Sequence, residues 1–129
     1  MNPLSLYVDS SVIGGYFDNE FQETTRTLWK QMRQGRFRFI ASVLLVQEIE
    51  GAPARVRRLM ERTFTRGESI LPITAEAVSL TEAYLKNKVV PTTYADDARH
   101  VAIAAAHGIT VIVSWNFKHL VNSTRGRVQ

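Results

Sequence analysis

The chain has 129 residues, 45% hydrophobic and 22% charged, with a formal net charge of +4 and a pI near 9.8. That length and balance describe one globular domain, residues 1–129, and exclude a disordered segment or a two-domain protein. With no cysteine, disulfides and thiolate metal sites are excluded as well.

No apolar run is long enough to cross a bilayer, and the N-terminus lacks the basic-then-apolar order of a secretory leader, so a cytoplasmic protein with no membrane association is expected. Sixteen Lys and Arg stand against twelve Asp and Glu, an excess compatible with a polyanionic partner and equally with an ordinary basic protein. The cations fall in two segments, Arg26, Lys30, Arg33, Arg36 and Arg38 in one and Arg55, Arg57, Arg58, Arg62 and Arg66 in the other.

In chain order, residues 4–8 read as a strand that ends on Asp9, and Ser10 or Ser11 is expected to cap a short helix stopping near Gly14 and Gly15. Residues 21–33, with Leu28, Trp29 and Met32 as apolar positions, predict an amphipathic helix ended by Gly35. Residues 37–41 predict a second strand, after which Ser42 caps a helix through Glu50. Pro53 breaks that helix, and residues 54–64 form an arginine-rich one.

The second half repeats the alternation. Residues 69–71 predict a short strand, and Thr74 begins a helix through Lys86 with Ala77, Val78, Leu80, Thr81 and Leu85 on its apolar side. Residues 93–107 predict a helix stopped by Gly108, and residues 110–113 a β-branched, buried strand. Strand and helix alternating throughout imply a mostly parallel sheet covered on both faces.

Such a sheet keeps its ligands at the carboxyl ends of its strands, where Asp9 stands. A helix cap or turn aspartate is the alternative for Asp9. Glu48 projects from a largely apolar helix face, its neighbours at helical spacing including Leu44, Leu45 and Ala52, so it needs a cation, a donor or a raised pKa unless it is a solvated helix acid. The run Thr93-Tyr94-Ala95-Asp96 fits a capping pattern that engages Asp96 with the helix start. That leaves Asp97 as the freer acid, one turn from His100 and Val101 on the face toward the sheet. If Asp9, Glu48 and Asp97 converge, a divalent cation must offset their repulsion, and hard oxygen ligands select Mg2+ or Mn2+ over zinc.

The blocks YVDSSVIGGYF, ASVLLVQEIEGAP and ADDARHVAIAAAHGITVIVSWNFKHLVN resemble those of PIN-domain proteins, in particular the VapC-like toxins of bacterial toxin–antitoxin modules and their stand-alone relatives. The resemblance covers nearly the whole chain, in order and at matching spacing. It implies a three-layer α/β/α sandwich around a central, mostly parallel sheet, and a metal-dependent ribonuclease whose acids hold Mg2+ or Mn2+. The first three acids of the pattern fall on Asp9, Glu48 and Asp97. The fourth does not: where many members carry an aspartate, this chain reads Ser114-Trp115-Asn116, and the next acid position falls near His119. Asn116 offers a carbonyl oxygen and one negative charge fewer, which leaves one metal or two open. The chain ends at Gln129, where similar proteins continue through a last strand, so a shortened sheet edge is expected.

The resemblance thus implies hydrolysis of RNA by metal-activated water, with Asp9 and Asp97 as direct ligands, Glu48 as a ligand or the acceptor that orients water, and Asn116 as a supporting contact. Ser11 is a candidate for a hydrogen bond to phosphate or metal-bound water, with a helix cap as its alternative. Trp115 and Tyr16 are candidates for base stacking, with core or rim packing as theirs. His100, His107 and His119 lack ligand spacing and read as packing or surface residues, His119 being the one placed to approach substrate. The basic residues would bind the RNA backbone, and a cognate antitoxin protein and a homodimer are the further partners to test.

A phosphatase of the haloacid-dehalogenase type also begins with an Asp after its first strand, but Ser11 occupies the place of its second acid. A receiver domain carries its acidic pair near the N-terminus, unlike this chain. An inactive relative that binds RNA or protein is the non-enzyme alternative, and Asn116 is the residue that favours it.

Overall fold

A computed structural model of the chain describes residues 3–65, 69–87 and 95–116. Four strands, β1 (Leu4–Val8), β2 (Phe37–Ser42), β3 (Ile70–Leu71) and β4 (Val111–Val113), pair in parallel in the order β3-β2-β1-β4. The connections carry six helices, α1 (Ser10–Gly15), α2 (Gln22–Arg33), α3 (Val43–Ile49), α4 (Ala54–Thr63), α5 (Ala75–Lys86) and α6 (Ala95–Ala106). The architecture is the expected α/β/α sandwich.

The two faces of the sheet follow from the pleat, which sends successive side chains to opposite sides. Leu6, Val8, Phe39 and Ala41 face one layer, where they meet Val12 and Ile13 of α1, Trp29 of α2, and Val56, Leu59 and Met60 of α4. Tyr7 and Ile40 face the other, against Ala77 of α5 and Ile103 and Ala104 of α6. α3 contributes to both layers, Leu45 and Ile49 to the first and Leu44 to the second.

Local chemistry sets the element ends. Ser42 accepts the Leu45 N–H at 3.2 Å and Thr74 accepts the Ala77 N–H at 3.1 Å, each cap worth about 1 kcal/mol. Gly35 and Gly108, just past the ends of α2 and α6, sit at φ +79° and +72°, a backbone that L side chains avoid.

Two expectations change. The cap of α1 is Asp9, not Ser10 or Ser11: Asp9 keeps an extended backbone while its carboxylate accepts the Ser11 and Val12 N–H groups, and both serines already lie within the helix. Val78, expected on the apolar side of α5, is 47% exposed, because Ala77 and Thr81 take the sheet-facing stripe. The partner expected to cap with Asp96, Thr93, lies outside the described residues, as do His119, Arg66 and residues 117–129, where the shortened sheet edge was expected. Among the described residues no helix is long and apolar enough to cross a membrane.

Candidate functional site

Strand register builds the site. Tyr7 is level with Ile40 and with Ile112, and Val8 with Val113. Continuing the register past the strand ends brings Ser42, Asp9 and Ser114 to one level at the carboxyl edge of the sheet. Three polar side chains therefore stand in a row where the strands give way to helices and loop.

Asp9, 2% exposed, is held by donors on both oxygens. Its Oδ1 accepts the Ser11 N–H at 3.1 Å, the Ser11 hydroxyl at 2.6 Å and the Val12 N–H at 3.4 Å, and its Oδ2 accepts the Ser114 hydroxyl at 2.5 Å. Ser11 Oγ in turn accepts the Trp115 N–H at 2.9 Å, and Ser114 Oγ accepts the Asn116 N–H at 3.1 Å. The residues after β4 are thereby tied to the start of α1, which carries Asn116 to the rim of the site.

The first turn of α6 supplies Asp96 and Asp97, and α3 supplies Glu48. Asp9, Ser10, Glu48, Asp96, Asp97, His100 and Asn116 line one pocket of about 320 Å³. The four residues expected to form the site, Asp9, Glu48, Asp97 and Asn116, thus share a cavity. Asp97 is half-buried, and its carboxyl is pushed above the ordinary carboxylate range by burial first and by the charge of Asp9 second, with His100 opposing and Asp96 and Glu48 adding to the rise. The neighbouring Asp96 is exposed and pairs with Arg99 at 3.0 Å.

His100, expected as a packing or surface residue, is 2% exposed and bridges two elements. Its Nδ1 lies 2.5 Å from the Tyr7 hydroxyl and its Nε2 lies 2.8 Å from Glu48 Oε1. The Tyr7 hydroxyl also meets Ser42 Oγ at 2.7 Å. Burial drives the Tyr7 phenol far above its ordinary pKa, so it stays protonated and available as a donor. The sequence carried one signal for His100: it stands one turn after Asp97 on a helix face otherwise made of Ala and Ile. Nothing local signalled Ser114 or Tyr7, and Ser42 was legible only as the cap of α3; their places in the site come from strand register.

The stacking candidates lie away from the pocket. The Trp115 ring stacks on Phe21 with centroids 5.6 Å apart, and its Nε1 donates to Thr25 Oγ1 at 3.1 Å. Gly15 makes room for it, since a Cβ there would fall 2.6 Å from Trp115 Nε1. Tyr16 packs edge-on against Trp29 and carries Arg26 over its face. The outer side of α4 exposes Arg55, Arg57, Arg58 and Arg62, with Arg55 over the Phe17 ring.

The donor set suits a hard divalent ion in kind: three carboxylates and an amide carbonyl, with Asp97 already raised by its neighbours' charge. In position, the described acids and histidines line the pocket without any three of them being gathered closely enough to share one ion. Comparisons with protein-family models, with curated proteins and with solved structures return no match.

Proposed function

We propose that the chain is a divalent-metal-dependent endoribonuclease of the PIN-like type, a VapC-like toxin or a stand-alone relative working in the cytoplasm. The observation that carries this reading is the arrival of Asp9, Glu48 and Asp97 from three separate elements in one polar pocket at the carboxyl edge of a parallel sheet. Mg2+ or Mn2+ would be held in this pocket by Asp9, Asp97 and Glu48 once the ion draws them closer than they stand in the metal-free chain, with the Asn116 side chain at the rim. When bound, such an ion acidifies water and offsets the charge that develops on a phosphodiester under attack.

The chain's own groups have separable roles. Asp97, whose carboxyl is pushed up by burial and by the charge of Asp9, is the acid whose ionised form gains most from a cation in the pocket. Glu48, with one oxygen held by His100, presents a fixed acceptor to the pocket. Ser11 and Ser114 hold Asp9 in place and are engaged with protein, so phosphate contacts fall to the exposed arginines and to groups at the rim. Arginines on the outer side of α4 supply the sequence-independent attraction for an RNA backbone, and a small antitoxin protein is the proposed regulatory partner.

The test is RNA cleavage with added Mn2+. Cleavage abolished by chelator and by Asp97→Ala supports the reading, and an inert wild-type chain with Mn2+ bound sinks it. A second reading, a binding module that does not hydrolyse RNA, is favoured by one observation: both Asp9 oxygens already accept protein donors, and the fourth position holds uncharged Asn116. RNA binding without cleavage would select it.

A further inference from the structure

Four side chains from four elements form a file through the layer between β1 and α6. Ser42 stands at the end of β2, Tyr7 in β1, His100 in α6 and Glu48 in α3, joined at 2.7, 2.5 and 2.8 Å. Tyr7 is fully buried, Ser42 likewise, and His100 is 2% exposed. The file is closed to solvent until it reaches Glu48, whose side chain is 24% exposed and lines the pocket.

Counting protons orients it. The 2.8 Å contact between His100 Nε2 and Glu48 Oε1 requires a hydrogen between two atoms that would otherwise both be acceptors. A neutral ring carrying that hydrogen has a bare Nδ1, which must accept the Tyr7 O–H. Tyr7 oxygen then accepts the Ser42 O–H, and Ser42 oxygen accepts the Leu45 N–H at 3.2 Å. Every group is satisfied, and no buried side-chain nitrogen or oxygen among the described residues lacks a partner. The reverse orientation puts a hydrogen on Nδ1 and sends the Tyr7 O–H to Ser42, whose own hydroxyl hydrogen then has no acceptor among the described residues.

We propose that Tyr7 and His100 are positioning residues for Glu48: a one-way file of hydrogen bonds from Ser42 through Tyr7 and His100 fixes Oε1 and leaves Oε2 for a cation in the pocket. The inference deepens the ribonuclease reading and rests on it for the identity of the cation. Ordered partners behind a ligating carboxylate restrict its rotation, so that binding a cation need not also freeze the side chain.

The first measurement uses the metal-free wild-type chain. Nitrogen-15 spectra of its histidines in mildly alkaline buffer should show His100 as the Nε2–H tautomer, and the Nδ1–H tautomer would overturn the file. The second is Mn2+ titration without RNA. Tyr7→Phe should keep the circular dichroism of the wild type and weaken Mn2+ binding about tenfold or more, while unchanged affinity overturns the positioning role.

If Tyr7→Phe does not fold, the comparison of His100→Gln with His100→Leu decides. Gln can still donate an N–H toward Glu48 and should bind Mn2+ more tightly than Leu; equal affinities would reduce His100 to packing. A wild-type chain that shows the expected tautomer and Mn2+ binding but cleaves no RNA would overturn the ribonuclease reading alone, leaving the positioning role supported.

Discussion

Asp9 and Asp97 line the same pocket from different elements, and their surroundings differ in kind. Asp9 is the deeper, yet it meets four hydrogen-bond donors, two from the backbone at the start of α1 and two from the hydroxyls of Ser11 and Ser114. Asp97 is half-buried, no donor among the described residues reaches it, and its carboxyl is raised by burial and by the charge of Asp9. Depth alone therefore does not decide how a carboxylate is held: donors stand in for lost water around Asp9, whereas Asp97 keeps partial burial and like charge without compensation. One acid belongs to the framework as well as to the site, and the other is available for chemistry.

Replacing the framework acid should have the largest effect. Asp9→Ala removes the cap of α1 and leaves the Ser11, Val12 and Ser114 donors facing an apolar methyl, which should cost roughly 2–4 kcal/mol in chemical denaturation. Asp9→Asn keeps an acceptor for the cap and should cost far less while weakening Mn2+ binding. Equal stabilities for the two variants would show that the donors around Asp9 do not hold the fold.

Asp97→Asn sharpens the contrast from the other side. An acid whose carboxyl is raised on folding holds its proton more tightly in the folded chain. Its stabilising contribution is therefore complete below the ordinary carboxylate range and is lost as pH rises through the raised value. Ionised Asp97 thus weighs against the metal-free fold at neutral pH. Asp97→Asn should raise the melting temperature there, and the gain should disappear in acid. The same substitution should lower RNA cleavage by roughly 100-fold or more, the scale of removing a group that acts on the transition state. A lower melting temperature at neutral pH would mean that Asp97 has a stabilising partner.

Asn116 lies between these cases, exposed at the rim. Asn116→Asp adds a negative charge to a pocket that already holds Asp9, Glu48 and Asp97, and should destabilise the metal-free chain by on the order of 1 kcal/mol, the scale of two like charges a few ångströms apart in water. Added Mn2+ should restore the melting temperature and bind more tightly than to the wild type. No change in either quantity would place Asn116 outside the reach of the acids. The smallest effect belongs to Asp96→Ala, which removes an exposed pair with Arg99 and should cost about 0.5 kcal/mol or less by thermal melting, with cleavage kept. A larger cost would indicate that Asp96 also holds the helix start.

The elements and their caps were legible in the sequence because they depend on residues within a turn of each other. Short, largely apolar runs at residues 4–8 and 37–41 marked β1 and β2, Ser42 and Thr74 announced α3 and α5, and Gly35 and Gly108 marked the ends of α2 and α6. The cap of α1 was read one or two residues late, since an Asp before two serines offers three side chains able to accept the same N–H groups. Asp9, Glu48 and Asp97 could be named because a carboxylate at a strand end, or on an apolar helix face, conflicts with its local surroundings wherever the chain later folds, whereas Asn116 was named only through the resemblance to PIN-domain proteins.

Their partners could not be read that way. Ser114 meets Asp9 across 105 positions and His100 meets Tyr7 across 93; the first contact follows from parallel register and the second from the packing of α6 on the sheet, neither of which a local pattern states. Trp115 shows the same limit in reverse: a tryptophan after a strand can stack on a base or on the core, and the gap at Gly15 together with the ring of Phe21 turns it inward. By itself the sequence determined which groups resist simple burial, because that is a property of each side chain and its near neighbours. Only the tertiary structure decided which donors answer them, because hydrogen bonds are short and directional and depend on where distant strands end beside one another.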